Sequence, residues 1–171
     1  MKLVLLIVGS LYMHVALAQT PEEKIQQLGY ELFTPPAPSA NFVKAVTTGN
    51  LVFLAGHGPG KADGTSIKGR LGDDLSIEQG YEAARISAVA LLSSLKAEIG
   101  SLDKVKRIVK VTGMVNSTAD FTDQPKVING CSDLLVEVFG EATGKHARAA
   151  VGMVSLPGNI AVEIEMIVEI Y

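Results

Sequence analysis

Cysteine is almost absent from this 171-residue chain: Cys131 stands alone. No intramolecular disulfide is possible, so the domain must be held by packing. Its neighbours Gly130 and Leu134 predict a buried helical position, and no adjacent His or Lys activates the thiol. Tryptophan is missing, and aromatic residues make up only 5% of a chain that is 47% hydrophobic. The core must therefore be built from Val, Ile, Leu and Ala. Basic clusters are lacking too. The net charge is −3, and the nearest approach to a block, Lys104, Lys106, Arg107 and Lys110, falls on both faces of a strand. Nucleic-acid binding needs grouped Lys and Arg, so this composition argues against such a partner. Apolar runs long enough to span a bilayer are also missing. The length suits one domain with a substantial core.

What is present begins at the N-terminus. Lys2, the short apolar run Leu3 to Tyr12 and the small-residue site Ala16-Leu17-Ala18 before Gln19 have the form of a cleaved signal peptide over residues 1–18. The expected location is secreted or periplasmic, with no membrane contact after cleavage. Asn116-Ser117-Thr118 is a glycosylation acceptor pattern in that setting. Residues 19–40 read as a short helix, Pro21 to Leu32, and an extended linker carrying Pro35, Pro36 and Pro38. The main domain is expected over 41–171.

Within that domain, Phe42 to Thr48 and Leu51 to Ala55 read as strands joined at Gly49-Asn50. The second, a continuous apolar run, is expected to be buried on both faces. Ser76-Ile77-Glu78-Gln79 is a capping box opening a long helix. Its stripe is Ile77, Tyr81, Ala84, Ala88, Leu91, Leu95 and Ile99, and Gly100 stops it. Val105 to Val115 is a strand with Val105, Val109, Val111 and Val115 on one face. Phe121 to Phe139 is a second helix with Pro125 in its first turn and Gly140 at its end. Gly130 inside it implies close packing or a kink. Two helices cover only one face of such a sheet, so the other face is solvated or meets another subunit.

The last 26 residues, His146 to Tyr171, carry the site pattern. Two alternating strands flank Leu156-Pro157-Gly158-Asn159, which predicts a hairpin. On the last strand the even positions from Ile160 to Ile170 are apolar, and Glu163, Glu165 and Glu169 share the opposite face. If Ser155 pairs with Ile160, Arg148 lies opposite Ile167, on the face of the glutamates and diagonal to Glu165 and Glu169. Two readings of Arg148 follow. It neutralises a carboxylate-rich face, or its planar fork, with Ala149, Ala150 and Gly152 leaving space around it, takes a substrate carboxylate. In that register Glu163 lies roughly 13 Å from Arg148 along the sheet. One small acid cannot reach both within a chain, so a shared substrate requires neighbouring subunits.

Other chemistries fail on spacing. His57 and His146 have no Cys or carboxylate at ligand spacing, so no metal site is expected. Gly140 to Lys145 is one residue short of a phosphate loop and ends in His146. Gly56-His57-Gly58 lacks the third glycine and the helix of a dinucleotide fingerprint.

Over Asn41 to Tyr171 the chain resembles the RidA/YjgF family, also known as endoribonuclease L-PSP. The resemblance rests on Gly49-Asn50-Leu51-Val52-Phe53-Leu54-Ala55-Gly56, on Ala147-Arg148 followed by Leu156-Pro157, and on Val162-Glu163-Ile164-Glu165. The segment from Pro21 to Pro38 is similar to that of a subgroup with an extra N-terminal helix. The resemblance implies an α+β, chorismate mutase-like fold: a mixed sheet with two helices on one face, in a barrel-like homotrimer with intersubunit clefts. It implies hydrolysis of reactive 2-imino or enamine acids to 2-keto acids and ammonia, without cofactor or metal. Arg148 would hold the substrate carboxylate, and Glu163 would orient or activate water. Gly56 and Ala150 would line the cleft, with Phe42, His57 and His146 facing it.

The family pattern is not complete. Asn41-Phe42 replaces Pro-Tyr, Ala55-Gly56 replaces Ser-Gly, and Arg148-Ala149-Ala150 replaces Arg-Ser-Cys. His57 stands where the family often has glutamine. The asparagine expected in the second helix falls on Asn129 or Ser132. These departures keep open an alternative: a non-catalytic, small-carboxylate-binding or chaperone-like trimer. Ribonuclease activity, suggested by the family's second name, fits poorly with the acidic composition.

Overall fold

A computed structural model describes residues 19–38 and 40–171. The expected signal peptide, 1–18, lies outside the described residues. Strand β1 (Ala45–Thr48) and strand β2 (Leu51–His57) form the N-terminal hairpin. Helix α2 (Ile77–Ile99) leads to β3 (Val105–Asn116), and α3 (Gln124–Phe139) with the single-turn α4 (Glu141–Gly144) leads to β4 (Ala147–Met153). Strand β5 (Val162–Ile170) ends the chain, and α1 (Pro21–Gln27) precedes the sheet. The sheet order is β1-β2-β5-β3-β4. This is the α+β arrangement expected, one mixed sheet with α2 and α3 on one face.

The sheet differs from expectation in one respect that matters. β4 and β5 are not a hairpin. β4 runs parallel to β3, with Val111 beside Arg148 and Gly113 beside Ala150. β5 lies antiparallel to β3 on its other side, with Met114 beside Glu163. The turn over Pro157–Asn159 therefore carries the chain past β3. β2 and β3 both run antiparallel to β5, so β2-α2-β3 and β3-α3-β4 are each a strand-helix-strand unit with parallel strands, the arrangement a helical crossover favours.

Local signals position these elements. Ser76 and Gln79 cap α2 reciprocally, and Gly100 ends it at φ 87°. Gly140 ends α3 at φ 77°. Gly130 is where α3 meets α2: a Cβ there would run into the carbonyl oxygen of Tyr81 and approach the Ala84 methyl. The core between helices and sheet is aliphatic, with Leu91, Leu95, Ile108, Val111, Ile128, Leu134, Ile164 and Met166 all buried. Ile108 takes the place expected for Val109, because register shifts flank it in β3 and move the buried set by one residue. Cys131 is fully buried, and that burial pushes its thiol up to about 12, so it is an inert packing group.

Helix α1 is stapled to the body. Thr20 and Glu23 form a capping box, Ile25 is fully buried, and Lys24 Nζ donates to the Val138 carbonyl at 3.0 Å. Among the described residues nothing covers the opposite face of the sheet, which is partly apolar. Val46, Phe53, Val151 and Met153 are exposed on it, Phe53 to 41%, so β2 is buried on one face only in the protomer.

Candidate functional site

Parallel pairing of β4 with β3 decides where Arg148 points. Arg148, Ala150 and Gly152 are in register with the buried Val111, Gly113 and Val115, so they occupy the helix side of the sheet at its edge. Arg148 is thus not on the face of the glutamates, and Ile167, Glu165 and Glu169 are not its neighbours. Its partners come from α3. Nη1 donates to Asn129 Oδ1 at 2.8 Å and to Ser132 Oγ at 3.0 Å, and Nη2 makes a long 3.5 Å contact with the Pro125 carbonyl. Both helix positions that the sequence left as alternatives contact the arginine.

The small residues explain how α3 comes so close. A Cβ at Gly113 would run into Ile128, and one at Gly152 would meet Gln124 and Ser117. Arg148 itself stays exposed at the sheet edge. With both Nη1 hydrogens committed, Nε and the outer hydrogen of Nη2 form the free edge. That edge has the side-on geometry of bidentate carboxylate capture.

Behind Arg148 stands His146. Its Nδ1 lies 2.7 Å from the Gly144 carbonyl, which can only accept, so Nδ1 carries the hydrogen. Its Nε2 lies 3.1 Å from Ser132 Oγ and accepts from that hydroxyl while the ring is neutral. Burial, then the Arg148 charge, hold the His146 pKa below the usual histidine value, against an opposing pull from the Gly144 carbonyl.

Glu163 lies on the other face. Strand β2 bulges between Leu54 and His57, and Gly56 sits in that bulge against the Glu163 carboxylate, where a Cβ would collide with it. The glycine makes the recess that holds the acid. Burial first, and the neighbouring Glu165 charge second, raise the Glu163 pKa. Glu163 pairs with Met114 and Arg148 with Val111, three rows apart and on strands either side of β3. They are therefore separated by about 10 Å along the sheet and about 10 Å across it, on opposite faces. No small molecule bridges them within one protomer.

The other expected site residues divide. Phe42 is exposed just before β1, and Ala150 is half-buried beside Gly113. His57 is not a cleft residue. It is buried on the helix side, with Nδ1 2.7 Å from the Ala55 carbonyl and Nε2 2.7 Å from Ser94 Oγ on α2. The bulge turns it inward while Gly56 faces out. A hollow of about 370 Å³ between Pro35–Pro38 and the Ser94–Glu98 end of α2 contains neither Arg148 nor Glu163. No cluster of three or more His, Cys, Asp or Glu able to hold a metal occurs among the described residues.

Sequence reasoning missed the Ser132–His146 link and the cradle that Gly56 makes for Glu163. The β3-α3-β4 order was the available signal for the first, because a helical crossover returns a parallel neighbour and brings α3 over β4.

Comparison with known proteins agrees with this fold. Residues 22–170 match the family model described as "YjgF/chorismate mutase-like, putative endoribonuclease". Protein TCP17 of Trypanosoma cruzi is 42% identical over 146 residues, covering 85% of this chain and 91% of that protein. Atu1372 of Agrobacterium tumefaciens, a protein of unknown function, superposes with a TM-score of 0.81 at 40% identity, over 88% of this chain and 92% of its own. A structure from Shewanella oneidensis, titled as that of a "putative endoribonuclease", superposes with a TM-score of 0.84 at 30% identity, over 89% and 100% of the two chains.

Proposed function

From the premise that the chain belongs to the RidA/YjgF family, whose model spans residues 22–170, we propose that it is a deaminase of 2-imino or enamine acids working at a cleft between protomers. The observation that carries the proposal is the division of the machinery. Arg148 offers a free guanidinium edge on one side of the sheet, and Glu163 sits recessed on the other. Each protomer then supplies half of two sites, and assembly completes them. The bare apolar face with Phe53 and Val151 supplies the contact surface, and a homotrimer is the assembly we propose.

In this reading Arg148 binds the substrate carboxylate through Nε and Nη2. Glu163 of the neighbouring protomer holds a water against C2 of the C=N bond. Water adds to that carbon, giving a carbinolamine, and the carboxyl group passes the proton from the water to nitrogen. The same carboxyl group then relays the carbinolamine hydroxyl proton to nitrogen, the C–N bond breaks as the C=O bond forms, ammonia leaves, and the 2-keto acid remains. A carboxyl group with a raised pKa exists in both protonation states closer to neutral pH and so can take and return that proton. The test is ammonia release from 2-iminobutyrate generated in situ. Wild type should accelerate it, and Arg148→Ala should reduce the acceleration at least about 100-fold, the order expected when a positioning anchor is lost. Equal rates for the two proteins would refute the assignment.

A second reading is favoured by specific residues. Phe42 has no phenolic hydroxyl, and Ala55, Ala149 and Ala150 carry no polar side chains, so Arg148 would bind small carboxylates without turnover. A carboxylate-dependent rise in melting temperature that needs Arg148, with no ammonia released, would select it. The endoribonuclease description carried by relatives has weaker support, since the net charge is −3. Salt-sensitive RNA cleavage lost on Arg148→Ala would be required to revive it.

A further inference from the structure

The Arg148 anchor is connected to a titratable group that the proposed hydrolysis does not use. Arg148 Nη1, Ser132 Oγ and His146 Nε2 form two hydrogen bonds in series, of 3.0 and 3.1 Å. Ser132 is the shared atom. Its single hydrogen goes to His146, and its lone pair receives Arg148. We infer, building on the reading of Arg148 as a carboxylate anchor, that anion capture at this site is proton-linked: a carboxylate on the free Nε/Nη2 edge is accompanied by uptake of a solvent proton at His146, which Ser132 couples to the arginine.

The electrostatics set the direction. In the empty site burial keeps the His146 ring neutral, and the positive charge of Arg148, facing it across one oxygen atom, adds its repulsion to that effect. An anion on Arg148 offsets that repulsion. Protonated His146 then donates Nε2–H to Ser132 Oγ, which has two lone pairs and can accept from both cations. The titratable and charged groups on the neighbouring elements leave this balance unopposed. From α3, Cys131 is a neutral thiol. From α4, Glu141 is engaged by Lys145 at 2.8 Å. On β3, Lys110 is in register with Ala147 and projects to the opposite face. Among the described residues, Arg148 on β4 is the charge that acts on His146, and its field responds directly to the ligand. Linkage is reciprocal: if a carboxylate promotes protonation of His146, then lowering the pH tightens carboxylate binding by the same factor.

The experiment is calorimetric titration of the full chain with pyruvate, a stable monocarboxylate of the 2-keto class. It is run near pH 6.5 in two buffers of different ionisation enthalpy and repeated at pH 8 and pH 6. The inference expects heats that reveal fractional proton uptake, and affinity that tightens on the order of tenfold from pH 8 to pH 6. His146→Gln should bind pyruvate with neither proton uptake nor that pH dependence. Ring NMR signals of the unaltered protein give a readout independent of any variant: pyruvate should raise the titration midpoint of His146 and leave that of His57 unmoved. Pyruvate binding with no proton uptake, or uptake that persists in His146→Gln, overturns the inference and leaves the anchor role intact. No pyruvate binding by wild type at millimolar concentration overturns the anchor role and the inference with it.

Discussion

His57 and His146 repeat one arrangement on different strands. Each donates Nδ1–H to the carbonyl two residues earlier and accepts at Nε2 from a helix serine, Ser94 or Ser132. Each ties a strand terminus to the helix layer, and burial lowers the pKa of both. The sign of the stability effect follows. A histidine with a lowered folded pKa binds its proton first in the unfolded chain. Stability is therefore complete above the ordinary histidine value and is lost as pH falls through and below it. The urea midpoint should fall between pH 7.5 and pH 5.5, and His57→Gln should flatten the dependence. An unchanged slope in that variant would exclude His57 as a source.

Asn116 shows how a motif legible in sequence is reassigned by its surroundings. It heads the glycosylation pattern, yet it is 1% exposed and its amide nitrogen donates to Gly69 O, Asn159 Oδ1 and Ile160 O at 3.0–3.2 Å. The folded site offers no free amide. Instead, the side chain ties the loop after β2 to the turn before β5. Asn116→Ala leaves the Gly69 and Ile160 carbonyls short of a donor, at a cost of about 1–3 kcal/mol. Equilibrium urea unfolding checks it.

At the level of elements, the α2 capping box, the glycine stops of both long helices and the even-odd split of β5 were all readable, because each is a local rule about a few consecutive residues. Partner choice between strands is not local. Leu156-Pro157-Gly158-Asn159 has the composition of a hairpin turn, but β3 occupies the place between β4 and β5. That single change moved Arg148 to the other face of the sheet. His57 was placed by resemblance alone, and it faces the helices because the bulge between Leu54 and His57 shifts the alternation by one residue.

The α2–α3 contact gives a prediction at this scale. Gly130→Ala gains about 1 kcal/mol of helix propensity. Its methyl group would meet the backbone carbonyl of Tyr81, which cannot move without shifting α2. Overpacking of this kind costs about 1–3 kcal/mol, so the net effect should be destabilising. A lowered denaturant midpoint with an unchanged slope is the expected record.

For the whole molecule, the sequence already implied that two helices leave one sheet face uncovered, and the exposed Phe53, Val151 and Met153 occupy that face. What it did not reveal is that the arginine and the acid lie back to back across the sheet. Periodicity assigns faces within a strand, whereas relating the faces of two strands requires their register.

That back-to-back placement has a genetic signature. A protein lacking the arginine keeps its acid, and one lacking the acid keeps its arginine. With the proposed site shared between two protomers, Arg148→Ala and Glu163→Gln chains, each inert alone, should rescue one another when unfolded and reassembled together. With equal amounts, about one junction in four would combine an intact arginine with an intact acid, so the recovered rate should approach a quarter of normal. Self-contained protomers would give no rescue at any mixing ratio.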